Sequence, residues 1–265
     1  MPNTYAHYRF GRDVYHRLPE TFRVRIRRYP RLYDIGLHGP DLLFYYRPLQ
    51  KNPISRIGYE MHEWTGRRFF NAGAEIVNRS ENRDAAWAYL MGFLCHYILD
   101  STCHPYVGQK MMASSVGHSE IEGAFDRYLM VLDGRNPVTH IPTNHIVPDP
   151  ERAAVIAPFF SPADPAEIYE AMNSFIRFNR LLIADTLPKR LLIYSVMKVT
   201  GVYPGMHGMV ITRRPDPRFE DSDRKLRELY REALSGSRSM FEMVNGLISG
   251  ENELDARFDH TFGEN

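Results

Sequence analysis

Cysteine is scarce in this chain. Cys95 and Cys103 are the two examples, so neither a disulfide framework nor a cysteine-ligated zinc site can be built from it. Long apolar runs are missing as well, and none approaches the ~18 to 20 residues that a membrane-spanning helix needs. Nor is one sign of charge in excess: 33 Lys and Arg nearly cancel 32 Asp and Glu, leaving +1. A general polyanion binder is normally strongly basic, which disfavours that class. The opening MPNTYAHYRFGRDVYHR lacks the charged-then-apolar pattern of a signal peptide, so a cytoplasmic location is expected. There is no internal repeat, no low-complexity segment and no strand-rich region with regular turns. What is present is a globular composition, 43% hydrophobic and 25% charged, able to bury a sizeable core. Histidine stands out at eleven residues. With cysteine excluded, any metal site must draw on histidine and carboxylate.

Apolar residues recur at helical spacing. Phe22, Ile26, Tyr29 and Tyr33 step by four, three and four, with Arg23 to Arg31 mainly on the other side. Segment 55–79 reads as one helix. Asn82 is a candidate N-cap for another, running to about 103 through WAYLMGFLCHYILD. That stretch is apolar almost all round, which predicts a central, buried helix. Gly117 and His118 open a helix that DGRNP stops near 132. Residues 134–166 are proline-rich and read as a long surface excursion. Helices resume at about 167–186, 189–200 and 222–248, the middle one too apolar to be exposed. The Gly- and Pro-rich segment 201–220 is long enough for a lid, and residues 250–265 read as a frayed tail. The expected architecture is a single all-α domain over 1–265.

Two helical pairs carry the chemical signal. His96 and Asp100 are four residues apart, as are His118 and Glu122. Four residues turn a helix by ~400°, so each pair stacks on one face and can reach one ion. Taken singly, such a pair is usually a surface hydrogen bond. Here His96 and Asp100 fall in the most apolar helix, where an unpaired carboxylate is expensive. His104 follows four residues later, and His62 adds a ligand on a helix that can pack alongside. Nitrogen and oxygen donors of this kind suit zinc. On spacing alone, a metal site and a hydrogen-bonded polar network fit equally well.

The run His96-x3-Asp100, His104, then fourteen residues to His118 and four to Glu122, resembles the zinc-dependent phospholipase C family of bacteria. It is especially similar to that family's short, single-domain branch lacking a signal peptide. TYAHYRFG (4–11), GLHGPDLLFYYRP (36–48) and the His62 helix look like the family's earlier motifs, so the resemblance spans about residues 1–130. It implies an all-helical fold, shared with related single-strand nucleases, that carries clustered zinc. Carried over by motif, Asp41, His62, His96 and Asp100 would hold a first zinc, and His104, His118 and Glu122 a second. His7 would help hold a third, with Asp100 bridging from the first. In secreted relatives an amino-terminal tryptophan chelates that third ion. This chain has no such tryptophan, and a Pro2 amine freed by removal of Met1 is the expected stand-in. Two zinc ions are expected and the third depends on that terminus.

The resemblance implies a hydrolase cleaving a phosphate ester by attack of zinc-activated water on phosphorus. Asp41 is the implied catalytic carboxylate, orienting or deprotonating that water, and Glu122 a pure ligand. His38 is placed either to donate to a ligand carboxylate or to pack a turn. His140, His145 and His207 fall in loops and read as solvated. Phe44, Tyr45 and Tyr46 are cleft or core. The expected partner is a phospholipid or related phosphodiester. Nucleic acid enters only under the alternative of a single-strand nuclease on the same site, and a non-enzymatic helical protein with structural zinc is the third reading. Residues 150–265 read as helices, so the carboxy-terminal β-sandwich of toxin members is expected to be absent. No amphipathic basic helix with exposed Trp or Phe replaces it, and stable membrane insertion is not expected. Arg23 to Arg31 and the Arg213–Arg214 pair read as a solvated helix face and a charged loop.

Overall fold

Short polar caps and prolines cut the chain into helices. The computed structural model describes residues 4–263. α1 (Thr4–Arg17), α2 (Glu20–Arg28) and α3 (Pro30–Gly36) follow one another, with breaks at Pro19 and at Tyr29. A 3-10 segment, Gly39–Tyr45, leads to α4 (Pro53–His62), which Asn52 caps by accepting from the Ser55 amide at 2.8 Å. Thr65 caps α5 (Gly66–Arg79), so the helix expected over 55–79 is two. Asn82 caps α6 (Arg83–Ala113) as expected, but α6 continues past 103 with Pro105 inside it. α7 (His118–Leu132) starts after Gly117 and stops before Gly134, whose φ of 67° suits glycine. α8 (Pro150–Ile156), α9 (Pro165–Leu182), α10 (Leu187–Val199), α11 (Tyr203–Met206) and α12 (Glu220–Ser249) complete the set. Among the described residues there is no strand, and Thr65 and Thr261 form one isolated bridge. The fold is all-α.

α6 is the axis of the molecule. Every residue from Ala85 to Asp100 is buried, because this stretch has no polar face to give to water. α1, α3, α5, α7 and α12 pack around it. The α3 crossing is close enough to need glycine on both helices. A Cβ on Gly92 would lie 2.1 Å from the Tyr33 carbonyl oxygen, and one on Gly36 would lie 2.4 Å from that of Tyr89. One hydrophobic cluster runs from Tyr5 to Phe262, and a small second cluster of Leu182, Ala184, Met197 and Val210 holds α10.

Three expectations about the second half of the chain fail. Residues 134–166 are not a surface excursion: Val138, Ile146, Phe159 and Phe160 are buried, and α8 lies within the segment. α10 is not covered. Met197 is its one buried residue, while Leu191, Leu192, Val196 and Val199 are exposed. The tail is not frayed through residue 263. Phe258 and Phe262 are fully buried, and the Gly263 amide donates to the His62 carbonyl at 2.9 Å.

Candidate metal centre

α6 supplies the spine of the site. Its i, i+4 repeat places His96, Asp100 and His104 along one stripe. α1 brings His7 to that stripe, the 3-10 segment brings Asp41, and the last residue of α4 brings His62. The first two turns of α7 contribute His118 and Glu122. All eight residues singled out by spacing and resemblance therefore converge on one region.

They form two adjoining groups. His7, Asp41, His96 and Asp100 each offer a ligand atom, all within 4.8 Å of one another, as do His104, His118 and Glu122. Asp100 stands between the groups. Its Oδ2 lies 3.0 Å from His96 Nε2, and its Oδ1 lies 3.1 Å from His7 Nε2 and 3.8 Å from His104 Nε2. Glu122 Oε1 is 2.9 Å from His118 Nε2 and 3.3 Å from His104 Nε2. His62 extends the first group, with Nε2 3.1 Å from Asp41 Oδ1. The grouping thus differs from the expected division in two respects: His7 sits with the first group, and His62 reaches that group through Asp41.

Backbone carbonyls orient two of these rings. His62 Nδ1 donates to the Gly58 carbonyl at 2.8 Å and His104 Nδ1 to that of Phe262 at 2.6 Å, so each Nε2 faces the carboxylates. Gly39, at φ 49°, makes room for His96: a Cβ there would lie 2.3 Å from the ring's Cδ2.

Charge is concentrated where burial should forbid it. Burial alone would raise Asp100, but His104, His96 and His7 hold it well below the usual carboxylate range. Against the same burial, His96 and His62 lower Asp41, and His118 and His104 lower Glu122. Burial opposes protonation of His104, yet Asp100 and Glu122 raise it to about 9. His7 is raised against burial by Asp100, whereas burial lowers His96. Three ionised carboxylates thus crowd one buried region.

Divalent metal fits these residues. His96 is fully buried, and among the described residues neither ring nitrogen makes a hydrogen bond. Its approach to Asp100 Oδ2 is close without being hydrogen-bonded. A buried imidazole in that condition is costly, and a cation satisfies it together with the carboxylates around it. The zinc dependent phospholipase C family model matches residues 6–161, more than half of the chain and all eight converging residues. The chain belongs to the zinc dependent phospholipase C family. No curated protein and no solved structure matches it. Family membership supports a zinc-dependent, phospholipase-like hydrolase.

Other candidate residues go elsewhere. His38 does not reach a ligand carboxylate. It is buried, with Nε2 2.7 Å from His145 Nε2. His145 is not solvated but buried, stacked on Tyr8 at 3.9 Å between ring centroids. His207 contacts Glu120 at 3.3 Å, and His140 meets the edge of Tyr5. Phe44, Tyr45 and Tyr46 are buried in the core, Phe44 stacking on the His62 ring. Arg25 and Arg28 pair with Asp84, and Arg27 with Glu20. The Pro2 amine lies outside the described residues.

Sequence reasoning missed Asp126. It lies one turn beyond Glu122 on α7 and accepts from the backbone amides of Tyr5 (3.1 Å) and Ala6 (2.8 Å), fixing the start of α1 beside His7. Burial raises its pKa to about 7. The 118–122–126 repeat was its one visible signal. Beside Glu122 a cleft opens, lined by the polar Thr4, Ser119, Asp126, His140 and Asn179 and by the apolar Met130, Val138, Leu182, Ile183, Met209 and Ile211.

Proposed function

We propose that this protein hydrolyses the phosphate ester of a phospholipid in the cleft beside Glu122. Asp100 carries the reading, because its two oxygens engage both groups of ligand atoms, as paired metal sites require. In this reading His7, Asp41, His96 and Asp100, with His62, hold one metal region, and His104, His118 and Glu122 the other. Zinc bound there would supply charge to neutralise phosphate oxygens and would lower the pKa of a water towards ~7 for attack on phosphorus.

The protein's own groups do the positioning. Asp41 orients that water or accepts its proton, its carboxylate being held ionised by His96 and His62 in spite of burial. His104, with Nδ1 fixed on the Phe262 carbonyl, keeps Nε2 towards Glu122. The ester bond to the glycerol oxygen breaks as water oxygen bonds to phosphorus, giving an alcohol and a phosphomonoester. Apolar residues such as Met130, Leu182, Met209 and Ile211 line the cleft and would accommodate the beginning of an acyl chain, which favours a lipid over a nucleotide. We take the chain as one domain, since the main hydrophobic cluster draws on residues from Tyr5 to Phe262.

A chromogenic choline phosphodiester tested beside single-stranded DNA checks the reading. Zinc-dependent cleavage of the choline ester is expected. Cleavage of DNA alone would make the protein a nuclease, and no cleavage of either with zinc bound would leave the metal a structural role.

A further inference from the structure

α10 is the anomaly of the fold. Of fourteen large hydrophobic residues exposed among the described ones, six lie between Leu181 and Val199. Leu191 and Leu192 are 56% and 65% exposed, and Val199 is 88% exposed. At 100° per residue, Leu187, Leu191, Val199, Leu192 and Val196 fill one half of the helix. Lys198 falls just inside one edge of that half, its Nζ 5.1 Å from the Tyr203 ring centroid, and Lys189 lies just beyond the other edge. The opposite half, with Met197 and Ile193, packs into the small second cluster. A contiguous exposed patch of this kind marks a docking surface.

Charge identifies the occupant. Residues 186–215 contain Lys189, Arg190, Lys198, Arg213 and Arg214 and no Asp or Glu, in a chain whose net charge is +1. An apolar face edged by lysines is the pattern of a helix lying in an anionic lipid interface. The patch is also continuous with the cleft. Leu182 and Ile183 line the cleft just before α10 begins. Arg190, on α10, donates to the carbonyls of Ala184 (3.2 Å), Val210 (3.3 Å) and Ile211 (2.6 Å), tying the helix to two residues that line the cleft, Ala184 and Ile211.

We propose that α10 docks this protein on the surface of an anionic phospholipid membrane and thereby brings the cleft to the lipid it cleaves. The docking half stands on the exposed face alone; the delivery half rests on the hydrolase reading above. α10 lies outside the family-matched segment 6–161, so the surface belongs to this chain's own second half.

Short-incubation sedimentation of the zinc-loaded protein with vesicles tests this. Phosphatidylcholine mixed with phosphatidylglycerol is compared with phosphatidylcholine alone. The wild-type protein partitions onto the mixed vesicles, less so at high salt. L191Q/L192Q lowers the partition coefficient about tenfold or more, with zinc content, helicity and cleavage of a soluble choline phosphodiester unchanged. V199Q alone shifts partition in the same direction by less, which guards against a melted helix. K189Q/K198Q weakens binding to the mixed vesicles and leaves that to phosphatidylcholine unaltered. Wild-type partition by L191Q/L192Q would overturn the proposal. So would a wild-type dimer that L191Q/L192Q splits without loss of vesicle binding, since a second copy would then cover the face. Failure of the wild-type protein to cleave any phosphodiester overturns the hydrolase reading and leaves the partition result to decide docking separately.

Discussion

At Asp41 neighbouring histidines overcome burial, whereas at His145, outside the metal centre, burial decides. Asp41 is almost wholly buried yet ionised, because His96 and His62 face it. Asp41→Asn keeps the shape and removes the proposed proton acceptor. Activity should fall by on the order of 10² to 10⁴, with zinc per chain by mass spectrometry close to wild type, as His7, His96 and Asp100 remain. Full activity at unchanged zinc content would show that Asp41 is not the base. His145 is held neutral by burial, with Arg31 and His140 adding to the effect, and its pKa is lowered to about 3. The unfolded chain protonates this histidine below about 6.5 and the folded protein does not. Its contribution is therefore complete above that pH and is lost progressively as pH falls towards 3, at about 1.4 kcal/mol per unit. His145→Gln should lessen the loss of stability between about pH 7 and pH 5 by roughly 2 kcal/mol, measured by urea unfolding at both. An unaltered loss would mean that His145 titrates normally.

The elements that carry the site were legible where their signals are local. Asn82 and the all-round apolar stretch announced α6, and the i, i+4 repeats of His96–Asp100 and His118–Glu122 announced the cluster of candidate ligands. What escaped depends on contacts distant in the chain. Phe262 follows its partner His104 by 158 positions, and a short polar tail has no periodicity to reveal that it packs inward. Asp126 acts on the backbone of Tyr5 and Ala6, which no side-chain motif records. The exposure of α10 was misread because apolar content was equated with burial, whereas an interface helix has the same composition. The tail gives the test at this scale. Phe262 is fully buried against Phe69, Phe93 and Tyr97 while its carbonyl holds His104. Phe262→Ala should cost about 3–5 kcal/mol and lower zinc affinity by equilibrium dialysis. Loss of stability with zinc affinity intact would detach the tail from the centre.

Across the whole molecule, helices from both halves of the chain surround α6, and metal bound to the buried charge they enclose would be part of the stability. Each ion held only by the folded state adds about 2.7 kcal/mol when its free concentration is 100 times its dissociation constant. Chelation should lower the thermal unfolding midpoint and abolish hydrolysis together, and zinc should restore both. An unchanged midpoint in verified metal-free protein would remove the link. Anomalous scattering at the zinc edge from zinc-replete crystals tests most directly whether these two adjoining groups are a catalytic metal centre. The expected result is density at His7, Asp41, His96 and Asp100 and at His104, His118 and Glu122, with ligand distances of ~2.0–2.2 Å and a position open to the cleft. No anomalous density at either group, or ions each closed by four protein ligands, would contradict the account.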